Sequence, residues 1–139
     1  MRNNSDLRQR VGRARLLLSD FEYALGRLRA ALAKPEDEYI RDATIQRFEF
    51  TFELAWKSIQ GVARLEGRDC STPRAAFSLA WEAHWIEDED LWLDMLEARN
   101  KTTHTYREKT AEEVFSALPG FVPALEYLLR SLTMRIPDL

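Results

Sequence analysis

The sequence predicts an all-α protein: an antiparallel up-and-down bundle of four main helices with one short helix added. Three observations carry that expectation. Apolar residues recur at threes and fours over runs much longer than an ordinary strand. Only five glycines and five prolines punctuate the 139 residues. Helix-start signals fall where one apolar run stops and the next begins. A chain of this length is expected to form a single domain, residues 1–139, with one real core.

The first helix is expected over residues 6–33, where Leu7, Val11, Ala14, Leu18, Phe21, Leu25, Leu28 and Leu32 trace one continuous stripe. Lys34, Pro35, Glu36 and Asp37 end it and turn the chain. The second helix, over residues 39–66, reads as the central one. Ile45, Phe48, Phe52, Ala55, Ile59, Val62 and Ala63 form a broad apolar face, while Phe50, Leu54 and Leu65 lie nearly opposite. A helix apolar on two sides needs two burial partners, here the bundle core and either another helix or a second subunit.

Thr72 followed by Pro73 starts a short third helix as N-cap and first helical residue. Ala76, Phe77, Ala80, Trp81 and His84 are expected along one side of it. Acids at Glu87, Asp88, Glu89 and Asp90 open the fourth helix, where its dipole favours them. Leu91, Met95 and Ala98 should face the core, with Trp92 and Leu96 broadening that face. Thr110, Glu112 and Glu113 have the form of a capping box for the last helix. Pro119 and Pro123 are expected to interrupt or restart that helix near Leu118.

Composition excludes several classes. No apolar run approaches the roughly 20 residues needed to span a bilayer, no secretory signal is evident, and a single cysteine, Cys70, permits no intrachain disulfide framework or cysteine metal cluster. Cytoplasmic residence is the expectation, with no membrane partner. A net charge of −3 argues against nucleic-acid binding through the whole surface. The charge is uneven. Seven arginines fall between residues 2 and 29, and read as ordinary solvated helix faces; seven acids and no Lys or Arg fall between residues 82 and 97. The sign then flips at Arg99, Lys101 and Arg107.

The stretch from Arg99 to Tyr106 concentrates polar, reactive side chains where the fourth apolar run has just stopped. Arg99 offers a planar fork of donors suited to phosphate oxygens. His104 can exchange a proton near neutral pH, and Tyr106 adds a phenolic hydroxyl. Five residues along an ideal helix rotate a side chain by roughly 140°, so Arg99 and His104 do not stack in one regular helix. They converge only if the helix loosens at Thr102 and Thr103, or across a dimer axis. Asn100 and His104 share a face. The plainer alternative is that Arg99 and His104 simply complement a helix C-terminus. Glu49 and Glu53, four apart beside Trp56, form a carboxylate pair or else pair with arginines and face water.

Arg99-Asn100 followed by His104 and Tyr106 resembles the motif of HEPN domains, small helical modules that include metal-independent ribonucleases. The form with His104 and Tyr106 is similar to that of HEPN proteins paired with minimal nucleotidyltransferases. The wider frame of residues 47–57, Thr72-Pro73-Arg74 and residues 91–106 resembles the nucleotidyltransferase substrate-binding family, itself HEPN-related. The resemblance implies a HEPN-like bundle, a homodimer, and a separate minimal (MNT-type) nucleotidyltransferase chain as partner. It leaves two activities open. In one, the chain contributes to nucleotide or substrate binding without catalysis, with Glu49, Glu53, Lys101 and Arg107 as the substrate-binding candidates. In the other, it is the metal-independent endoribonuclease toxin of a HEPN/MNT toxin–antitoxin pair. Arg99, Asn100 and His104 are then catalytic, RNA is the substrate, and transfer of AMP to Tyr106 neutralises it. Neither reading requires a cofactor or a metal. A non-catalytic helical scaffold is the third alternative.

Overall fold

The computed structural model describes residues 4–138. It contains five α-helices: α1 (Asn4–Leu32), α2 (Glu38–Leu65), α3 (Pro73–Glu82), α4 (Glu89–Lys101) and α5 (Glu108–Thr133), with a 3-10 turn (Thr102–His104) between the last two. No strand occurs among the described residues.

The main helices alternate in direction. Along α1 and α2, Gly61 sits against Ala14 and Leu17, while Arg47 donates to the Arg27 carbonyl at 2.9 Å, so the two run antiparallel. α5 returns parallel to α2, with Phe48 stacked on Phe121 at 5.8 Å and Arg41 bound to Glu108. α4 lies antiparallel to α5, and the short α3 packs beside both α2 and α4, with Glu82 at its end held by Arg68 at 3.3 Å. α2 touches every other α-helix, the central position its two-sided apolar pattern anticipated. Gly61 permits the tightest approach: a Cβ there would stand 3.0 Å from the Leu17 side chain.

Local chemistry explains the boundaries. Asp37 caps α2 by accepting from the Ile40 amide at 2.8 Å, Thr72 caps α3 through the Ala75 amide at 3.1 Å, and Asp88 caps α4 through the Leu91 amide at 3.1 Å. Each satisfies an amide that has no carbonyl partner within its own helix.

The core is continuous and rich in aromatic rings. Phe52 is fully buried, meets Phe77 edge-on at 5.8 Å and lies 6.2 Å from Phe48; Phe77 in turn packs on Trp92 at 5.1 Å. α2, α3 and α4 are thereby joined through a single ring cluster.

Four details depart from the sequence reading. Pro119 and Pro123 do not interrupt α5, which runs through both. Both prolines are exposed, so their rings project away from the core and the unbonded carbonyls face water. The capping box at Thr110 is not the start of α5; the helix begins a turn earlier, at Glu108, where the ion pair with Arg41 anchors it. On α4 the buried side chains are Trp92, Met95 and Ala98, with Leu91 only half-buried. After α3 the chain turns through His84 in the left-handed region (φ 63°). That turn leaves His84 exposed, Trp81 46% exposed, and Trp85 and Ile86 buried in their place.

Candidate functional site

The segment after α4 forms the candidate site, and its geometry is set by how α4 ends. Thr102 donates its hydroxyl to the Arg99 carbonyl at 2.6 Å, Thr103 to that of Asn100 at 3.2 Å, and Thr105 to that of Thr102 at 3.1 Å. Three hydroxyls thus take up carbonyls that a continuing helix would have bonded, and the chain tightens into the 3-10 turn. The loosening at Thr102 and Thr103 that the motif needs is present. It leaves His104 exposed to solvent.

Arg99 faces inward. Its guanidinium lies 5.0 Å from the centre of the Phe52 ring, and one terminal nitrogen donates to Glu53 Oε1 at 3.0 Å. Its Nε is buried without a hydrogen-bond partner. Glu53 also accepts from Trp56 Nε1 at 3.1 Å and has Lys57 Nζ at 3.9 Å. Glu53 is therefore a junction between α2 and α4, tying the motif arginine to the central helix. Glu49, one turn earlier, is half-buried and makes no hydrogen bond or ion pair among the described residues.

The remaining candidates lie on the outer side. Asn100, Lys101, His104, Tyr106 and Arg107 are all exposed, with Lys101 Nζ 3.7 Å from Glu97. His104 Nδ1 stands 3.3 Å from the Tyr106 hydroxyl, and the Arg107 guanidinium lies 5.5 Å from the Tyr106 ring centre. Tyr106, 73% exposed, thus has an imidazole at its hydroxyl and a cation near its ring. Arg99 joins Glu53, and His104 joins Tyr106. No hydrogen bond or ion pair links Arg99 to His104 among the described residues.

Two residues that the sequence reading passed over hold this segment in place. Arg41 is buried and grips both carboxylate oxygens of Glu108, at 2.6 and 3.2 Å, with Asp42 3.6 Å from its Nε. The Arg41 hydrogen bond and charge hold the Glu108 carboxyl below its ordinary range, and the hydrogen bond from Arg41 to Glu108 in turn raises the guanidinium further. The first turn of α5 is thereby clamped to the start of α2, two residues past Tyr106. The signal was available: Arg41 continues the Ile45, Phe48, Phe52 face by one more step of four.

No group of His, Cys, Asp or Glu side chains among the described residues is arranged to hold a metal ion. No helix among them is long and apolar enough to cross a membrane.

The chain is similar in structure to a protein from Thermus thermophilus, with 37% sequence identity and a TM-score of 0.76, over 81% of this chain and 98% of that one. It is also similar to a Haemophilus influenzae protein whose structure is described as revealing the fold of a substrate binding domain of a nucleotidyltransferase. There the TM-score is 0.65 and the identity 20%, over 88% of this chain and 98% of that one, a likeness of fold. No curated protein matches the chain. Residues 16–134 match the family described as nucleotidyltransferase substrate binding protein like, a span that takes in all of α2 to α5 and the whole candidate site. The chain belongs to that family.

Proposed function

We propose that this chain is the substrate-binding partner of a separate, minimal nucleotidyltransferase, and that the surface carrying Lys101, His104, Tyr106 and Arg107 faces the transferase and its nucleotide. The observation that carries this reading is the family match over residues 16–134. The local geometry supports it. Arg99 is held by Glu53 and Phe52 and serves to place the segment, while the outward side chains are the ones free to meet an anionic ligand. A basic, polar face suits nucleotide phosphates. Co-expression with the minimal transferase, followed by size-exclusion chromatography with light scattering, is the test. A stable complex that dissociates on His104→Asp with Arg107→Glu is expected; no co-elution at micromolar concentration removes the proposal.

A second reading is supported by one contact, the 3.3 Å approach of His104 Nδ1 to the Tyr106 hydroxyl. In it the chain is a metal-independent endoribonuclease, with Arg99, Asn100 and His104 acting on RNA, and the transferase silences it by moving AMP onto Tyr106. His104 would act as general acid or base at the ribose 2′-hydroxyl or the leaving oxygen. Because no hydrogen bond or ion pair joins Arg99 to His104 among the described residues, this chemistry draws them from two copies. The exposed Phe50 and Tyr23 on the outer side of α1 and α2 offer an apolar face for such a homodimer. Cleavage of single-stranded RNA in EDTA, abolished by His104→Ala, supports this reading; its absence in a protein that still binds the transferase removes it.

A further inference from the structure

We propose that the arginine-lined cleft at the opposite end of the bundle is a second binding site, specific for phosphate oxyanions. It lies between the N-terminal turns of α1 and the C-terminal end of α2. Arg10, Arg13, Arg64 and Arg68 line it, with Asp6 and Asp69 as the acids, around a cavity of about 430 Å³. That is room for on the order of a dozen waters at about 30 Å³ each, more than a single small ion fills. Arg64 is 23 residues along α2 from Arg41, roughly 35 Å at the helical rise, so the cleft is distinct from the surface around Tyr106.

Three features make this more than a solvated helix face. Four arginines from α1, α2 and the following loop line one concavity. Even with Glu82 on Arg68 counted beside Asp6 and Asp69, the acids leave one positive charge, that of Arg13, uncompensated. Two of the carbonyls at the end of α2, those of Ala63 and Arg64, which would repel an anion, are covered. Gly67, at φ 74°, turns the chain back so that its amide bonds the Arg64 carbonyl at 3.2 Å and the Arg68 amide bonds that of Ala63 at 2.9 Å. Arg10 also donates to the Arg64 carbonyl, at 3.2 Å.

On Arg10 and Arg68 the ion pairs already present leave donors for a ligand. Arg10 meets Asp6 through Nε at 3.3 Å and Arg68 uses one terminal nitrogen on Glu82 at 3.3 Å, while Arg64 is engaged with Asp69 at 3.4 Å. These pairs join partly exposed groups. Arg13 makes no ion pair or hydrogen bond among the described residues. A guanidinium fork binds a phosphate through two parallel N–H bonds, a better geometry than such pairs supply. The ligand chemistry is a run of phosphates, which a nucleoside triphosphate or a nucleic-acid backbone presents equally.

The test uses the full chain and two probes: inorganic triphosphate by calorimetry and a short fluorescein-labelled single-stranded RNA by anisotropy. Saturable binding of at least one is expected at about 50 mM salt, falling roughly tenfold by about 200 mM if two phosphates are neutralised. Arg13→Glu with Arg68→Glu, its helicity checked by circular dichroism, is expected to lose at least as much. Lys34→Glu with Lys109→Glu, the same charge change elsewhere, is expected to bind as the wild type does. Binding of triphosphate that Arg13→Glu with Arg68→Glu loses identifies a nucleotide as the source, and binding of RNA alone that the same variant loses identifies a nucleic-acid backbone; either supports the site. Binding of neither probe, or equal loss in the two double variants, overturns it.

Discussion

Phe52 is the residue whose replacement most directly tests how the motif is positioned. It is fully buried, meets Phe77 of α3 edge-on at 5.8 Å and carries the Arg99 guanidinium 5.0 Å from its ring centre. Phe52→Leu keeps most of the volume and removes the ring. The lost aromatic pair is worth about 0.5–1.5 kcal/mol. The lost cation–π contact is worth about 0.5–1 kcal/mol, because Arg99 is only partly desolvated. The expected destabilisation is therefore about 1–2.5 kcal/mol, against about 3–5 kcal/mol for Phe52→Ala, which also leaves a cavity. Urea unfolding reads both, and for a chain of this size each kcal/mol lowers Tm by about 3–5 °C. A double-mutant cycle with Arg99→Met isolates the cation–π part, expected near 0.5–1 kcal/mol. A coupling of zero, or a Phe52→Ala cost below about 2 kcal/mol, would refute the claim that the ring holds Arg99 and joins the helices.

The Arg41–Glu108 clamp makes stability depend on pH. Because Arg41 lowers the Glu108 pKa in the folded chain, the stabilisation is present above the unfolded pKa and disappears as pH falls through the folded one. The difference in unfolding free energy between wild type and Arg41→Gln should be constant from neutrality to about pH 4.5 and shrink below it; a difference unchanged at about pH 3 would contradict the pairing. Gly12 lies in α1 with nothing within 4 Å of the position a Cβ would take. Gly12→Ala should therefore stabilise the protein by about 0.5–1 kcal/mol by thermal melting, and a lower Tm would show that α1 packs differently there.

The bundle was legible because its helices announce themselves at both levels, periodic apolar faces and capping residues. Thr72 caps α3 as its sequence position anticipates, while Asp37 and Asp88, read only as part of a turn and of a run of acids, also prove to be caps. The prolines of α5 misled because the cost of a proline depends on which side of the helix its ring occupies, and sequence order alone does not weigh exposure against packing. Trp85 escaped notice because its burial depends on the left-handed turn at His84, a conformation that periodicity does not encode. At the site, the motif residues were legible one by one and their pairing was not. Arg99 meets Glu53 across 46 residues of sequence, and only the packing of α4 on α2 brings them together. Arg41 was passed over for a related reason: a charge on an apolar face is informative only once its partner, Glu108, is known to lie opposite.

The most direct test of the proposed function is the transferase's affinity for its nucleotide, measured by calorimetry with and without this chain. If the chain contributes to substrate binding, affinity should rise by about tenfold or more, about 1.4 kcal/mol. By linkage, saturating nucleotide should tighten the complex between the two proteins by the same factor. Lys101→Ala with Arg107→Ala should abolish the gain while the complex still forms. A complex that forms with no change in nucleotide affinity would contradict a substrate-binding role and leave a partner that serves the transferase in some other way.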